Sequence, residues 1–184
     1  MSVIAYRLPQ TLTKAMKMSI SNSEPTTVTP QELLEHWQGH RRLTRKVIEA
    51  FPDEKLFSFS IGGMRTFGEI ANELLMMGAP PAFGFANPEQ WITFKEMDTG
   101  DLNINPSTKS DVLKLWDWST EKIDLYLKQI TIERLRESET MYGQYEGTMW
   151  SHLFYLIDNE IHHRGQGYVY LRSLGIEPPL FWER

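Results

Sequence analysis

Along this chain, apolar residues recur three and four positions apart in four long stretches, the spacing that lines one face of a helix. The first stretch opens at Thr29-Pro30-Gln31-Glu32, with a threonine N-cap, a proline at the first helical position and a glutamate placed to return the capping bond. Leu33, Leu34, Trp37, Thr44, Ile48 and Phe51 then share a face and Pro52 follows, so a helix is predicted over residues 30–51. Thr66-Phe67-Gly68-Glu69 repeats the capping logic. It starts a second helix that buries Phe67, Ile70, Ala71, Leu74 and Met77 and is predicted to stop near Gly78-Ala79-Pro80-Pro81. A third helix begins between Thr108 and Asp111 and carries Val112, Leu113, Trp116, Ile123, Tyr126, Leu127 and Ile130. The fourth is predicted over residues 148–174, ended by Gly175 with Pro178 and Pro179 beyond.

The connection over 79–106 is too long to be structureless in a compact domain, and Asn87-Pro88-Glu89-Gln90 reads as the start of a short inserted helix. Residues 131–147 are charged and turn-like at Gly143 and Gly147, and no stretch alternates convincingly as a strand. Four amphipathic helices with one long crossover between the second and third predict an all-α four-helix bundle. It occupies residues 29–184, behind an N-terminal arm at residues 1–28.

Composition narrows the function. With 184 residues and no cysteine, the chain buries a core without disulfides, and any thiol used in chemistry belongs to another molecule. A formal net charge of −5 and the absence of a long basic run argue against a nucleic-acid partner. No apolar run approaches the ~18 residues that span a bilayer. Arg7, Lys14 and Lys17 in an N-terminal stretch without acidic residues faintly resemble a transit segment, but a surface arm and a cytoplasmic protein are the expectation.

The chemistry gathers on the fourth helix. At about 100° per residue, His152, Asn159, His163, Gln166 and Tyr170 fall within roughly 60° of one another. Trp150, Leu153, Ile157, Ile161, Tyr168 and Leu171 form the predicted apolar face beside them. An i, i+4 pair on such a stripe presents two side chains to one divalent ion, with a third ligand from a facing helix, and the same groups serve equally well as hydrogen-bonding partners inside a bundle. His36 and His40 on the first helix have the same spacing and no third ligand nearby in sequence. Glu73 lies on the flank of the second helix's apolar face.

Glu160-Ile161-His162-His163-Arg164-Gly165-Gln166, followed by Tyr170-Leu171-Arg172 and Gly175-Ile176-Glu177-Pro178-Pro179, resembles the C-terminal signature of the DinB-like proteins, relatives of the YfiT type. Arg65-Thr66-Phe67-Gly68-Glu69-Ile70-Ala71 resembles that family's second recognisable segment. The resemblance covers residues 30–182. It implies a four-helix bundle, frequently a homodimer, with a divalent metal such as zinc, nickel or manganese held by one residue of the second helix and an i, i+4 pair of the fourth, most often three histidines. The matching positions are Glu73, Asn159 and His163. Glutamate is a good hard ligand, whereas the neutral amide of Asn159 binds such ions weakly unless Glu160, His162, His152 or His40 stands in.

Two functions follow from the resemblance. One is a metal-dependent thiol S-transferase or hydrolase-type enzyme using a low-molecular-weight thiol such as bacillithiol or mycothiol, with Glu160 or His162 as the acid-base group. The other is a noncatalytic homodimer that has lost the metal and binds a small molecule.

Overall fold

The computed structural model describes residues 28–184, so the predicted N-terminal arm at residues 1–28 lies almost wholly outside the described residues. The chain folds as α1 (Pro30–Ala50), α2 (Asp53–Leu56), α3 (Phe67–Met76), α4 (Ala79–Ala86), a 3-10 turn (Phe94–Glu96), α5 (Lys109–Leu127), α6 (Ile132–Arg136), β1 (Ser138–Met141), β2 (Tyr145–Thr148) and α7 (Met149–Ser173). Both predicted capping boxes form: Glu32 Oε2 accepts from the Thr29 backbone N–H at 2.8 Å, and Glu69 Oε2 from that of Thr66 at 2.8 Å. Each satisfies donors that the first helical turn leaves unpaired.

The helices α1, α3, α5 and α7 pack side by side, with α4 against α5. Two apolar clusters are stacked along them. One holds Val47, Ile48 and Phe51 of α1, Phe67 and Leu74 of α3, Trp116 of α5 and Tyr170 of α7, with the Phe51 and Phe67 rings stacked at 4.8 Å. The other holds Leu34 and Trp37 of α1, Phe85 of α4, Ile123 of α5 and Leu153 and Ile157 of α7. The order of the clusters along each helix shows α1 and α7 running one way and α3, α4 and α5 the other. Because α4 and α5 are parallel, the chain must travel back along the molecule between them, which is why residues 87–108 form a long crossover.

Three expectations need correction. Pro80 and Pro81 do not merely stop the second helix. They sit in the first turn of α4, where a missing N–H costs nothing, so the inserted helix is Ala79–Ala86 and Asn87-Pro88 follows its end. Residues 138–148 form an antiparallel hairpin with Ser138 opposite Thr148 and Met141 opposite Tyr145, turning through Tyr142 and Gly143 at positive φ. Arg134 ties this hairpin to α4: Nε and Nη2 donate to the carbonyls of Phe85 and Gly84 at the helix end, at 2.9 and 3.1 Å, while Nη1 pairs with Glu137 and Glu139.

The third correction concerns α7. Its buried arc is rotated toward the polar stripe: His152, Glu160, His163 and Arg164 are buried, while Trp150 and Ile161, expected in the core, are 38 % and 37 % exposed. Polar groups can take these interior positions because each finds a charged or hydrogen-bonding partner there.

A candidate polar site between α3 and α7

Between the two apolar clusters the long helices contribute a polar layer: His40, Arg41 and Thr44 from α1, Ser119 and Thr120 from α5, and Glu160, His163 and Arg164 from α7. It divides into two parts on different sides of α7.

The outer part contains two of the predicted ligand positions. His163 Nε2 lies 3.0 Å from Glu73 Oε1, joining α7 to α3 across 90 residues of sequence. His163 Nδ1 lies 2.8 Å from Gln166 Oε1, and Gln166 Nε2 is 3.5 Å from His162 Nε2. The other carboxylate oxygen of Glu73 pairs with Arg65, whose own carbonyl accepts the Tyr170 hydroxyl at 2.7 Å. The result is a row running Arg65, Glu73, His163, Gln166, His162. Burial by itself pushes the Glu73 carboxyl up, but the Arg65 hydrogen bond and the charges of His163 and Arg65 outweigh it and hold the group below the usual carboxylate range. His163 is buried, with Nε2 facing the Glu73 carboxylate and Nδ1 facing the Gln166 amide, and His162 is exposed.

Asn159 stands one turn before His163 on the same face, and its amide nitrogen is buried with no hydrogen-bond partner among the described residues. Its oxygen and nitrogen are interchangeable by a flip of the amide, so an oxygen can be presented from the same position. The donor set for a metal is therefore one carboxylate, one imidazole and one neutral amide. Among the described residues no three His, Cys, Asp or Glu side chains come together as a metal-holding group. Arg65 also occupies one oxygen of the only anionic ligand, placing a fixed positive charge where a cation would add more. These residues do not fit the tight three-ligand centre that the resemblance implies.

The inner part holds Glu160, one of the two residues expected to do acid-base work. Its side chain is 2 % exposed and turns away from Glu73 into the interior. It accepts from the Trp37 indole at 3.1 Å and the Thr44 hydroxyl at 2.7 Å, and lies 3.6 Å from Arg41 Nη1. Arg41 is buried with its guanidinium 3.4 Å over the Trp116 ring. Burial pushes Arg41 down to about 10, against the pull of the Glu160 carboxylate. Glu160 is placed as a buried counter-ion to Arg41, and of the two predicted acid-base residues only His162 lies at the outer site. The sequence carried a signal for this network: Arg41 falls at the same helical spacing as Trp37, Thr44 and Ile48, where a solvated arginine would not be placed. Arg65 carried none, because it precedes the helix and has no periodic relation to Glu73.

The remaining sequence candidates lie elsewhere. His152 Nε2 is 3.2 Å from the Glu139 carbonyl and anchors the hairpin. His36 and His40 do face each other, Nε2 to Nε2 at 3.2 Å, but the third group at that same His40 nitrogen is the Arg184 guanidinium at 3.2 Å, a cation and no metal ligand.

Comparison with known proteins agrees with this architecture. A DinB-like protein from Bacillus subtilis superposes with a TM-score of 0.63 at 21% identity, covering 83% of this chain and 99% of the other. A DinB-like protein from Bacillus cereus gives 0.63 at 22% identity, covering 83% and 97%. No curated protein sequence matches the chain. The DinB family model matches residues 89–183, just over half of the 184 residues and including all of α7. On that match, and with the shared helical fold around it, the chain belongs to the DinB family.

Proposed function

We propose that this DinB-family chain is a metal-independent, noncatalytic protein that binds a small polar molecule at the Arg65–Glu73–His163–Gln166–His162 row. The observation that carries the reading is the doubly engaged Glu73 carboxylate, with Arg65 on one oxygen and His163 on the other. An ion pair built this way supplies the charge balance that a divalent ion would otherwise provide, and leaves the exposed His162 and the half-buried Gln166 as the groups that meet a ligand. The proposed partner in solution is a second copy of the chain. The exposed Trp150–Phe154 pair on α7, with ring centroids 4.8 Å apart, is apolar surface such a copy would cover.

A second reading is favoured by one feature. The buried, unpartnered amide of Asn159, turned to present its oxygen, would join Glu73 and His163 as a weak third ligand to zinc, nickel or manganese. In that reading the metal supplies an acidified thiol or water for S-transfer or hydrolysis with a low-molecular-weight thiol, and His162 moves the proton.

Elemental analysis of the untagged protein, followed by titration with the three metals, separates the two. The expected result is no stoichiometric metal in the wild type and tighter binding in Asn159→His. Near-stoichiometric metal in the wild type, lost in both Glu73→Ala and His163→Ala, overturns the metal-independent reading and establishes the second.

A further inference from the structure

The Arg164-Gly165 pair of the signature and the Pro178-Pro179 exit take no part in the Glu73–His163 row. They line a separate cleft of about 670 Å³ between the second half of α7 and the C-terminal segment. Its walls are Ile161, Tyr168, Leu180, Phe181 and Trp182, and Gly165 forms its floor. The segment is held across α1 by Lys46 Nζ donating to the Glu183 carbonyl at 3.2 Å and by Arg184 against His40. A Cβ placed on Gly165 meets no atom within 4 Å, so the helix backbone there faces open space.

Arg164 lies in the cleft wall with an unusual deficit. It is 94 % buried, being 6 % exposed, yet among the described residues it makes no salt bridge. Its hydrogen bonds are two long contacts from one nitrogen, Nη1 to the His40 carbonyl and to Thr44 Oγ1, both at 3.4 Å. The only carboxylate in the buried layer, Glu160, is engaged by Arg41, Trp37 and Thr44. The layer therefore holds two guanidiniums for one carboxylate. A buried guanidinium without an anion is costly, and the cost falls when one is supplied. At the same cleft Arg172 is 58 % exposed and opposed by Glu177 at a long 3.4 Å, so the cleft retains a net positive charge. The Tyr168 hydroxyl is buried with no acceptor among the described residues. The titration of His40 reports the same field: burial first, then Arg164, His36 and Arg184, push it down to about 3.

We infer that this cleft binds a small amphipathic monocarboxylate, with the carboxylate on Arg164, Arg172 adding positive charge at the rim, and an aliphatic or aromatic body between Gly165 and the Leu180-Phe181-Trp182 wall. The volume lies within the range of small-molecule sites, which are apolar clefts with a few convergent polar groups. Apolar walls disfavour a phosphate or a nucleotide, and the positive charge disfavours a neutral or cationic lipid. This inference does not rest on the function proposed for the Glu73 row, since the two sites share no side chain.

The test is calorimetric titration of the full chain with decanoate below its micellar range, with decyltrimethylammonium as the probe of equal tail and opposite charge. The expected result is saturable one-to-one binding of decanoate and none of the cation, weakened at least tenfold in both Gly165→Leu and Arg164→Met. Gly165→Leu sets its Cβ in open space and projects its branched end into the cleft, away from the buried layer, so it keeps the test decisive even where Arg164→Met disturbs that layer. Decanoate binding unchanged in Gly165→Leu overturns the site. Equal binding of the cation overturns the charge recognition. Absence of wild-type binding, with a sedimentation mass that falls to the monomer in Gly165→Leu, overturns the ligand and makes a second copy of the chain the occupant.

Discussion

The assignment of Glu160 as a buried counter-ion makes a quantitative prediction through Glu160→Gln. The amide keeps the shape and can keep both hydrogen bonds: its oxygen accepts from Trp37, and its NH2 donates to Thr44, whose hydroxyl then donates to the His40 carbonyl 3.1 Å away. What the substitution removes is the charge. Arg41, fully enclosed and already short of hydrogen bonds at both terminal nitrogens, loses its one ion-pair partner among the described residues, and Arg164 loses a compensating charge. Stranding a buried charge in this way costs about 3–5 kcal/mol. For a chain of this size each kcal/mol moves Tm by roughly 2–4 °C, so Glu160→Gln should melt about 6–20 °C below wild type by circular dichroism. Adding Arg41→Met should recover a substantial part of the loss, with a coupling of at least ~1 kcal/mol in the double-mutant cycle measured by urea unfolding. A Glu160→Gln variant that melts within about 1 °C of wild type refutes the counter-ion role, and if it also loses a measured activity, the acid-base role returns.

Three further outcomes follow from the same geometry. His40 is held neutral when folded, to about 3 against an ordinary 6.5, so the unfolded chain takes up a proton that the folded chain refuses. Stability should fall as pH drops below 6.5, by about 1.4 kcal/mol per unit from this group alone, and urea unfolding of His40→Phe between pH 7 and 5 should show a shallower decline; equal slopes refute it. Glu73 is held below its ordinary value, so its contribution is present at neutral pH and is lost as pH falls through the folded-state value; Glu73→Gln should cost about 1 kcal/mol at pH 7 and lessen the loss of stability in acid, and a variant as stable as wild type at pH 7 counts against the ion pair. Two glycines a half-turn apart should respond oppositely: Gly165→Ala, facing open space, should stabilise by about 0.5–1 kcal/mol, whereas Gly167→Ala, whose Cβ would lie 2.5 Å from the Phe67 ring, should destabilise by about 1–3 kcal/mol, both read from melting curves.

What the sequence disclosed and what it withheld divide along a physical line. Helix starts were legible because a capping box is a local contract among four residues, and Thr29 to Glu32 and Thr66 to Glu69 form their bonds wherever the rest of the chain goes. The Gly78-Ala79-Pro80-Pro81 run does end the second helix as expected, but its second role as the start of α4 was hidden because proline opposes a helix interior and favours a helix start, and residues before and after it both carry helical spacing. The hairpin escaped because strands of four residues give alternation too few positions to declare itself. The polar residues show the limit most sharply. Periodicity placed Asn159 and His163 on one face and set Glu160 close by, yet Glu160 and His163 serve different networks. Their partners, Trp37 and Thr44 for one and Glu73 for the other, lie between 90 and 123 residues away. A helical wheel reports the direction in which a side chain leaves its own helix, but its ionisation, mobility and chemistry are set by the charge that meets it. Arg41 thus makes Glu160 a counter-ion, and Arg65 makes Glu73 half of an ion pair where the family's pattern leads one to expect a metal ligand. A DinB-family sequence with a carboxylate at this α3 position should accordingly be read together with the residue before its helix N-cap: in Arg65→Ala the Glu73 carboxylate is released from its pair, and metal affinity in the titration above should rise by about tenfold if the arginine is what disfavours the ion. No change in affinity would mean that the neutral amide of Asn159, rather than the charge of Arg65, is the reason the centre is weak.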